Sequence, residues 1–316
     1  MTVSSGNDIN AADYNGLQSR INNILGNGSG TSGYGQSLSS SQVTANVTNI
    51  TASRMDQLRT DMNKAYAHQE NTNSNLGNIQ VGNIVGANAS NTGSTAGVGT
   101  SNMTDSTKGF NDYFSLMTTI ESNKLTVNPN QASVEAAITS QRTTAWNGTI
   151  THSFTVTFNN ADHRRHFFNA GGEIRFTANI SGGSGAKTND WRTMLSNMGT
   201  IKFNYTSTTS TGTGTGSSIG NYDLSGSYQQ IFQKSGSGVY AENDYIVRAK
   251  SNSSSQIQFE VRFQDDDVGD QQGGFLPGPA VDENVNGTIT STIQQFRATG
   301  SNVSVPSPSY SNTSTL

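Results

Sequence analysis

The sequence predicts an α+β, mainly β protein: an antiparallel β-sandwich-like C-terminal domain with short helical insertions, preceded by an N-terminal duplicated helical and extended anchoring region. Three observations predict it. A capped helical segment occurs twice near the start, at an offset of 41 residues. From about Ser133 the hydrophobic period changes from 3.6 to 2. The chain is also polar without being charged: 13% charged residues, about half the ~25% usual for soluble domains, with 34 glycines in 316 residues. That balance suits Thr-rich strands joined by Gly/Ser loops.

The first helical copy runs from Asn7 to Leu25 and the second from Thr48 to Tyr66. Asn10 and Thr51 stand at the N-cap, where a side-chain oxygen can accept from a first-turn N–H. Ile9 with Tyr14, and Ile50 with Met55, occupy the N′ and N4 positions of a hydrophobic staple. Leu17, Ile21 and Leu25 continue the first apolar stripe, and Leu58, Met62 and Tyr66 the second. Gly26 is placed to end the first helix. Each stripe is narrow and calls for a partner: either the two helices pack on each other, or each docks on another chain.

The connector GNGSGTSGYGQSLSSSQ between the copies reads as flexible, and residues 71–104 as a Gly/Asn-rich linker. A third helix is expected from Asp105 to Glu121, capped by Thr104, with Phe110, Tyr113, Phe114, Met117 and Ile120 at helical spacing. The domain plan is therefore 1–70 duplicated helices, 71–104 linker, 105–130 helix, 131–300 antiparallel β domain and 301–316 Pro/Ser-rich extended tail.

Within the β domain, alternation picks out Ile150 to Phe158, Ile174 to Ile180, Ile201 to Tyr205, Tyr245 to Ala249, Ile257 to Phe263 and Thr288 to Gln295. Such strands have one buried and one wet face, hence antiparallel pairing. Two short helices interrupt them. Asn160 caps one that Gly171 stops; Thr188 or Asn189 caps another that Gly199 stops.

Several function classes have no support in the residues. A net charge of −4 gives no basic stripe for nucleic acid. There is no signal-peptide pattern at the start and no apolar run long enough to span a membrane. With no cysteine there is no disulfide, thiol nucleophile or Cys-based metal site. Hydrolase, metalloprotease and P-loop motifs are missing. His163, Arg164, Arg165 and His166 form the densest basic cluster, read either as an anion site at a helix start or as a solvated face whose arginines pair with acids. Asp265, Asp266, Asp267 and Asp270, with Asp282 and Glu283 nearby, could hold Ca²⁺ but lack the EF-hand pattern, so a polar hairpin tip is preferred. No cofactor and no metal are assigned.

The stretches MTVSSGNDINAADYNGLQSRINNILG with GYGQ, ITASRMDQLRTDMNKAYAHQ, and RTTAWNGTITHSFTVTFNNADHRRHFFNAGGEIRF resemble a recurrent virion structural protein family of tailed bacteriophages. Relatives of that family are frequent in marine contractile-tailed phages of cyanobacteria. SSIGNYDL, ENVNGTITSTIQQ and VSVPSPSY extend the likeness over most of the chain. The resemblance implies a place in the particle, after assembly in the host cytoplasm, and implies no catalytic residue. The expectation is a non-enzymatic structural component of the tail (neck, tail periphery or fibre attachment), homo-oligomeric and in contact with other virion proteins. Docking is assigned to Ile9, Tyr14, Leu17, Ile21, Leu25, Ile50, Met55, Leu58, Met62 and Tyr66. The alternatives are a tail-fibre module that reads a host surface glycan, with Trp146, Tyr222 and Tyr240 as stacking candidates, and a capsid decoration protein. A glycan depolymerase ranks last.

Overall fold

The computed structural model describes residues 9–74, 76–77, 109–266 and 284–316. Two compact units emerge, and they interleave in sequence. One comprises 1–133, 165–171 and 297–306; the other 134–164, 172–296 and 307–316.

The first unit is helical. α1 (Ala11–Leu25), α2 (Ala52–Glu70) and α3 (Phe110–Ser122) pack pairwise. The expected caps form: Asn10 accepts from the N–H groups of Ala12 and Asp13, and Thr51 from that of Arg54. α3 begins at Gly109, whose N–H donates to the Asp112 carboxylate; Thr104 lies outside the described residues. Tyr14, Leu17, Ile21, Leu58, Met62, Tyr113 and Ile120 are all 0% exposed. A third helix thus completes a bundle that two narrow stripes could not close alone. Arg20 of α1 ties to Glu121 of α3 through Nε and Nη2 at 2.9 and 2.7 Å.

The connector expected to be flexible is instead laid along the bundle. Asn15 acts as a substitute strand, donating to Val43 O and accepting from Val43 N, both at 2.8 Å. The fully buried Asp61 accepts from the N–H groups of Ser39 and Ser40. Tyr34 is buried and its N–H donates to Ile24 O. Gly33, at φ +104°, makes the path possible, because a Cβ there would meet Asn27 O at 2.0 Å. The linker over 71–104 falls almost wholly outside the described residues. Its beginning is anchored, with Ser74 N donating to Asn63 Oδ1 and Leu76 buried.

The second unit holds two five-stranded antiparallel sheets among the described residues. Its strands are β1 (Ala132–Arg142), β2 (Thr149–Thr157), β3 (Glu173–Ser181), β4 (Ile201–Phe203), β5 (Thr208–Ser210), β6 (Gln229–Ser235), β7 (Asp244–Ser253), β8 (Gln256–Gln264), β9 (Thr288–Ala298) and β10 (Ser309–Ser314). Their orders are β1-β9-β3-β4-β5 and β10-β2-β8-β7-β6. Phe154 and Phe259 of one sheet meet Phe176 and Phe203 of the other at 5.2–6.0 Å between ring centroids, so the sheets form a sandwich. The inward alternation holds: Tyr245, Val247 and Ala249 face Phe263, Val261 and Phe259 in register, all fully buried.

Two further α-helices lie among the strands. α4 (Ala161–Asn169) starts as expected, with Asn160 Oδ1 accepting from His163 N at 2.8 Å. α5 (Ala186–Met198) starts earlier than expected, at Gly185. Thr188 is not a cap: it is fully buried and its hydroxyl accepts from Asn286 N. The chain from 297 to 306 belongs to the helical unit, where Val303 and Val305 are buried, rather than to the β domain or an exposed tail. The tail beyond it is a strand, β10, paired with β2.

Replacing Leu58 by Ala leaves a cavity in the helical bundle. The expected loss is about 2–5 kcal/mol, read as an earlier loss of the helical far-UV signal in urea; an unchanged midpoint contradicts a closed bundle core.

Candidate functional site

The docking residues assigned from sequence are mostly spent inside the chain. Tyr14, Leu17, Ile21, Leu25, Leu58 and Met62 are 0% exposed and Met55 is 3% exposed; Ile9, Ile50 and Tyr66 are half-buried. This corrects the assignment: a stripe buried in its own bundle offers no apolar edge to another protein. The physical reason is α3, together with the connector, which covers what the two repeats leave open.

The basic cluster is neither a solvated face nor an open anion site. Arg164 is buried, and its guanidinium donates to Asn221 Oδ1, Ser251 Oγ, Ser253 O and Gln256 O at 2.7–3.3 Å. Those acceptors are neutral, and burial lowers its pKa to about 10. Arg165 donates to the carbonyls of Asn27 and Ser32 within the helical unit, and His166 Nε2 also contacts Asn27 O. Asn169 adds bonds to Gly30 O and Ser32 O. Consecutive side chains of α4 therefore hold loop backbone.

The acidic cluster divides. Asp267, Asp270, Asp282 and Glu283 lie outside the described residues. Asp265 is buried against Lys187, and Asp266 accepts from Gln264 Nε2. Among the described residues no group of three or more His, Asp or Glu side chains is placed to hold a metal. Of the aromatics considered for sugar stacking, Trp146 and Tyr240 are 3% and 5% exposed, and Trp146 packs on Trp191. Tyr222 alone of those residues stands at the surface, 37% exposed.

Sequence reading did not find the buried polar constellations of the sandwich. His152 on β2 bridges Ser291 Oγ of β9 through Nδ1 at 3.0 Å and Asn312 Oδ1 of β10 through Nε2 at 2.7 Å. Nε2 carries the proton toward the Asn312 oxygen, and Nδ1 accepts from the hydroxyl. The order Ser, His, Asn satisfies the distance rule for an activated nucleophile. Yet His152 is 0% and Ser291 1% exposed, so no substrate reaches the hydroxyl. The arrangement clamps the C-terminal strand to both sheets. Gln295 does similar work, bonding Glu135, Ser307 and Tyr310. No local signal marks these partners, which lie far apart in sequence.

The outer surfaces are polar, with uncharged rows beside charged side chains such as Arg175, Arg248, Lys250 and Glu260. On one sheet Thr139, Thr292 and Thr177 form a row, beside another of Gln141, Thr290 and Asn179. On the other, Thr155, Gln258 and Lys250 align, and the Tyr228 ring lies beneath Arg248 and Lys250. A shallow groove of about 490 Å³ is lined by Gly214, Thr215, Gln233, Lys234, Ser235 and Gly236. Hydroxyl, amide and one ammonium group there can hydrogen-bond a polar surface, without an aromatic wall or a carboxylate pair.

In the helical unit His68 is 0% exposed, lies against Tyr34 at 4.9 Å between centroids, and has no hydrogen bond on either ring nitrogen. Desolvation holds its pKa down at about 4, and the Ala170 backbone offsets only part of that. The unfolded chain therefore takes up this proton first. His68's contribution is intact above the ordinary value of 6.5 and is lost as pH falls toward 4. That loss amounts to ~3 kcal/mol, measured by urea unfolding of the helical signal at neutral and acid pH. The His68→Gln variant should show a flatter dependence; an equal dependence contradicts a neutral buried imidazole.

Both tryptophans, Trp146 and Trp191, belong to the β unit, so their fluorescence reports its unfolding alone. Arg164→Ala strands several buried acceptors and should cost about 3 kcal/mol by that probe; a change under ~0.5 kcal/mol would restore the solvated-face reading.

Comparisons with protein-family models, with curated proteins and with solved structures find no match to this chain.

Proposed function

We propose that this chain is a non-enzymatic structural component of a tailed-bacteriophage virion, placed in the tail at the neck, the tail periphery or a fibre attachment. The resemblance carried by the N-terminal repeat, the segment through α4 and the VSVPSPSY tail motivates the assignment. The observation that carries it physically is how the polar groups are used. Arg164, Arg165, Asn169, Asp61 and His152 are engaged in holding backbone or strands in place. The outer face over β1, β9 and β3 meanwhile presents uncharged rows of Thr, Gln and Asn. An uncharged row hydrogen-bonds a neighbouring protein with little dependence on salt, and repeated copies make weak contacts additive.

The mode of attachment changes from the one expected. Because the repeats are core, contact with other virion proteins falls to the surface of folded units, and no coupled folding of α1 or α2 is required. The burial of Trp146 and Tyr240 weighs against the glycan-binding alternative. The chain should be recovered from gradient-purified particles by peptide mass spectrometry, and antibody to the β unit should mark one fixed position on them. Particles of full infectivity that lack the chain would sink the proposal.

A further inference from the structure

Lys187 and Asp265 form a buried pair. Both side chains are 0% exposed, and Lys187 Nζ stands 3.0 Å from each carboxylate oxygen. Lysine is almost never buried completely, and withdrawing two charges from water costs more than their attraction commonly returns. Trp191, one turn after Lys187 on the same face of α5, packs on Trp146 and on Phe263, and Phe263 packs on Tyr245. The approach is held from both sides. α5 packs on β3, and the Asp265 N–H donates to Gly148 O. Asn243, also fully buried, precedes Asp244, whose partner in the ladder is Gln264. Continued by one step, that register sets Asn243 opposite Asp265.

We propose that Lys187 and Asp265 are joined by an intramolecular isopeptide bond. As the step proceeds, a hydrogen on Lys187 Nζ moves to an Asp265 carboxylate oxygen 3.0 Å away. The amine lone pair attacks Asp265 Cγ, a C–N bond forms, the C–O bond breaks, and the oxygen leaves as water with two protons from the nitrogen. One ammonium and one carboxylate thus become one amide and one water, and no further reagent is consumed. Fixed separation supplies the effective concentration that the step demands. The product removes both buried charges and staples α5 to the end of β8, residues 78 apart in sequence. In a chain without cysteine it takes the place of a disulfide.

Intact-mass measurement of the natively folded, full-length protein tests this directly. The expected mass lies about 18 Da below the sequence value, the mass of one water lost in the condensation. Trypsin should then yield a branched peptide joining residues 176–192 to 263–297, uncut at Lys187. Lys187→Arg and Asp265→Ala should each restore the full mass and lower the unfolding midpoint read by tryptophan fluorescence. The full sequence mass in the folded wild-type protein overturns the proposal. So does the same deficit on an unbranched peptide, which marks dehydration elsewhere, or a loss of ammonia with the branch at Asn243.

Discussion

Side-chain groups that bind backbone are what this structure depends on. With 31% hydrophobic residues and 34 glycines, the chain has long loops and little apolar surface to press them down. A loop against a core needs partners for its own N–H and C=O groups. Here they come from Asn15, Asp61, Arg164, Arg165 and Asn169. Each bond adds only about 1 kcal/mol net, yet each removes a buried unpaired group whose cost would be larger. Loops become part of the fold by this means.

The same economy explains the fate of the N-terminal repeat. A stripe of apolar residues at i, i+3, i+7 and i+11 is too narrow for a helix to stand alone. Two such helices and α3 share one interior, and Tyr34 and Val43 from the connector fill its remaining margin. Of the two stripes only Ile9, Ile50 and Tyr66 keep partial exposure. Duplication here builds a core.

Buried polar constellations mark the places where elements distant in sequence are locked together. His152 fixes β10 to both sheets through a defined tautomer. Lys187 and Asp265 lock α5 to the end of β8. In a low-dielectric interior such contacts are strong when complete and costly when broken. They resemble catalytic sites in composition, and enclosure distinguishes them: a nucleophile with 1% exposure has no route to a substrate.

Local chemistry was legible in the residues themselves. The caps at Asn10, Thr51 and Asn160 and the stops at Gly171 and Gly199 lie where expected. So do the inward faces of β2, β3, β7, β8 and β9, because capping and alternation are decided within a few neighbouring residues. The strands that escaped notice lack that signature. β1 is half-buried along much of its length; β6 buries Ile231 and Phe232 in succession because its register shifts between Gln230 and Phe232; β10 is nearly all Ser, Thr and Asn. Only the tertiary structure decided whether the apolar stripes face inward, where the Gly/Ser connector runs, and that 165–171 and 297–306 leave the β unit. It alone gave Arg164, His152 and Lys187 their partners. Those outcomes rest on contacts between residues tens to hundreds of positions apart, and no periodicity or short motif encodes them.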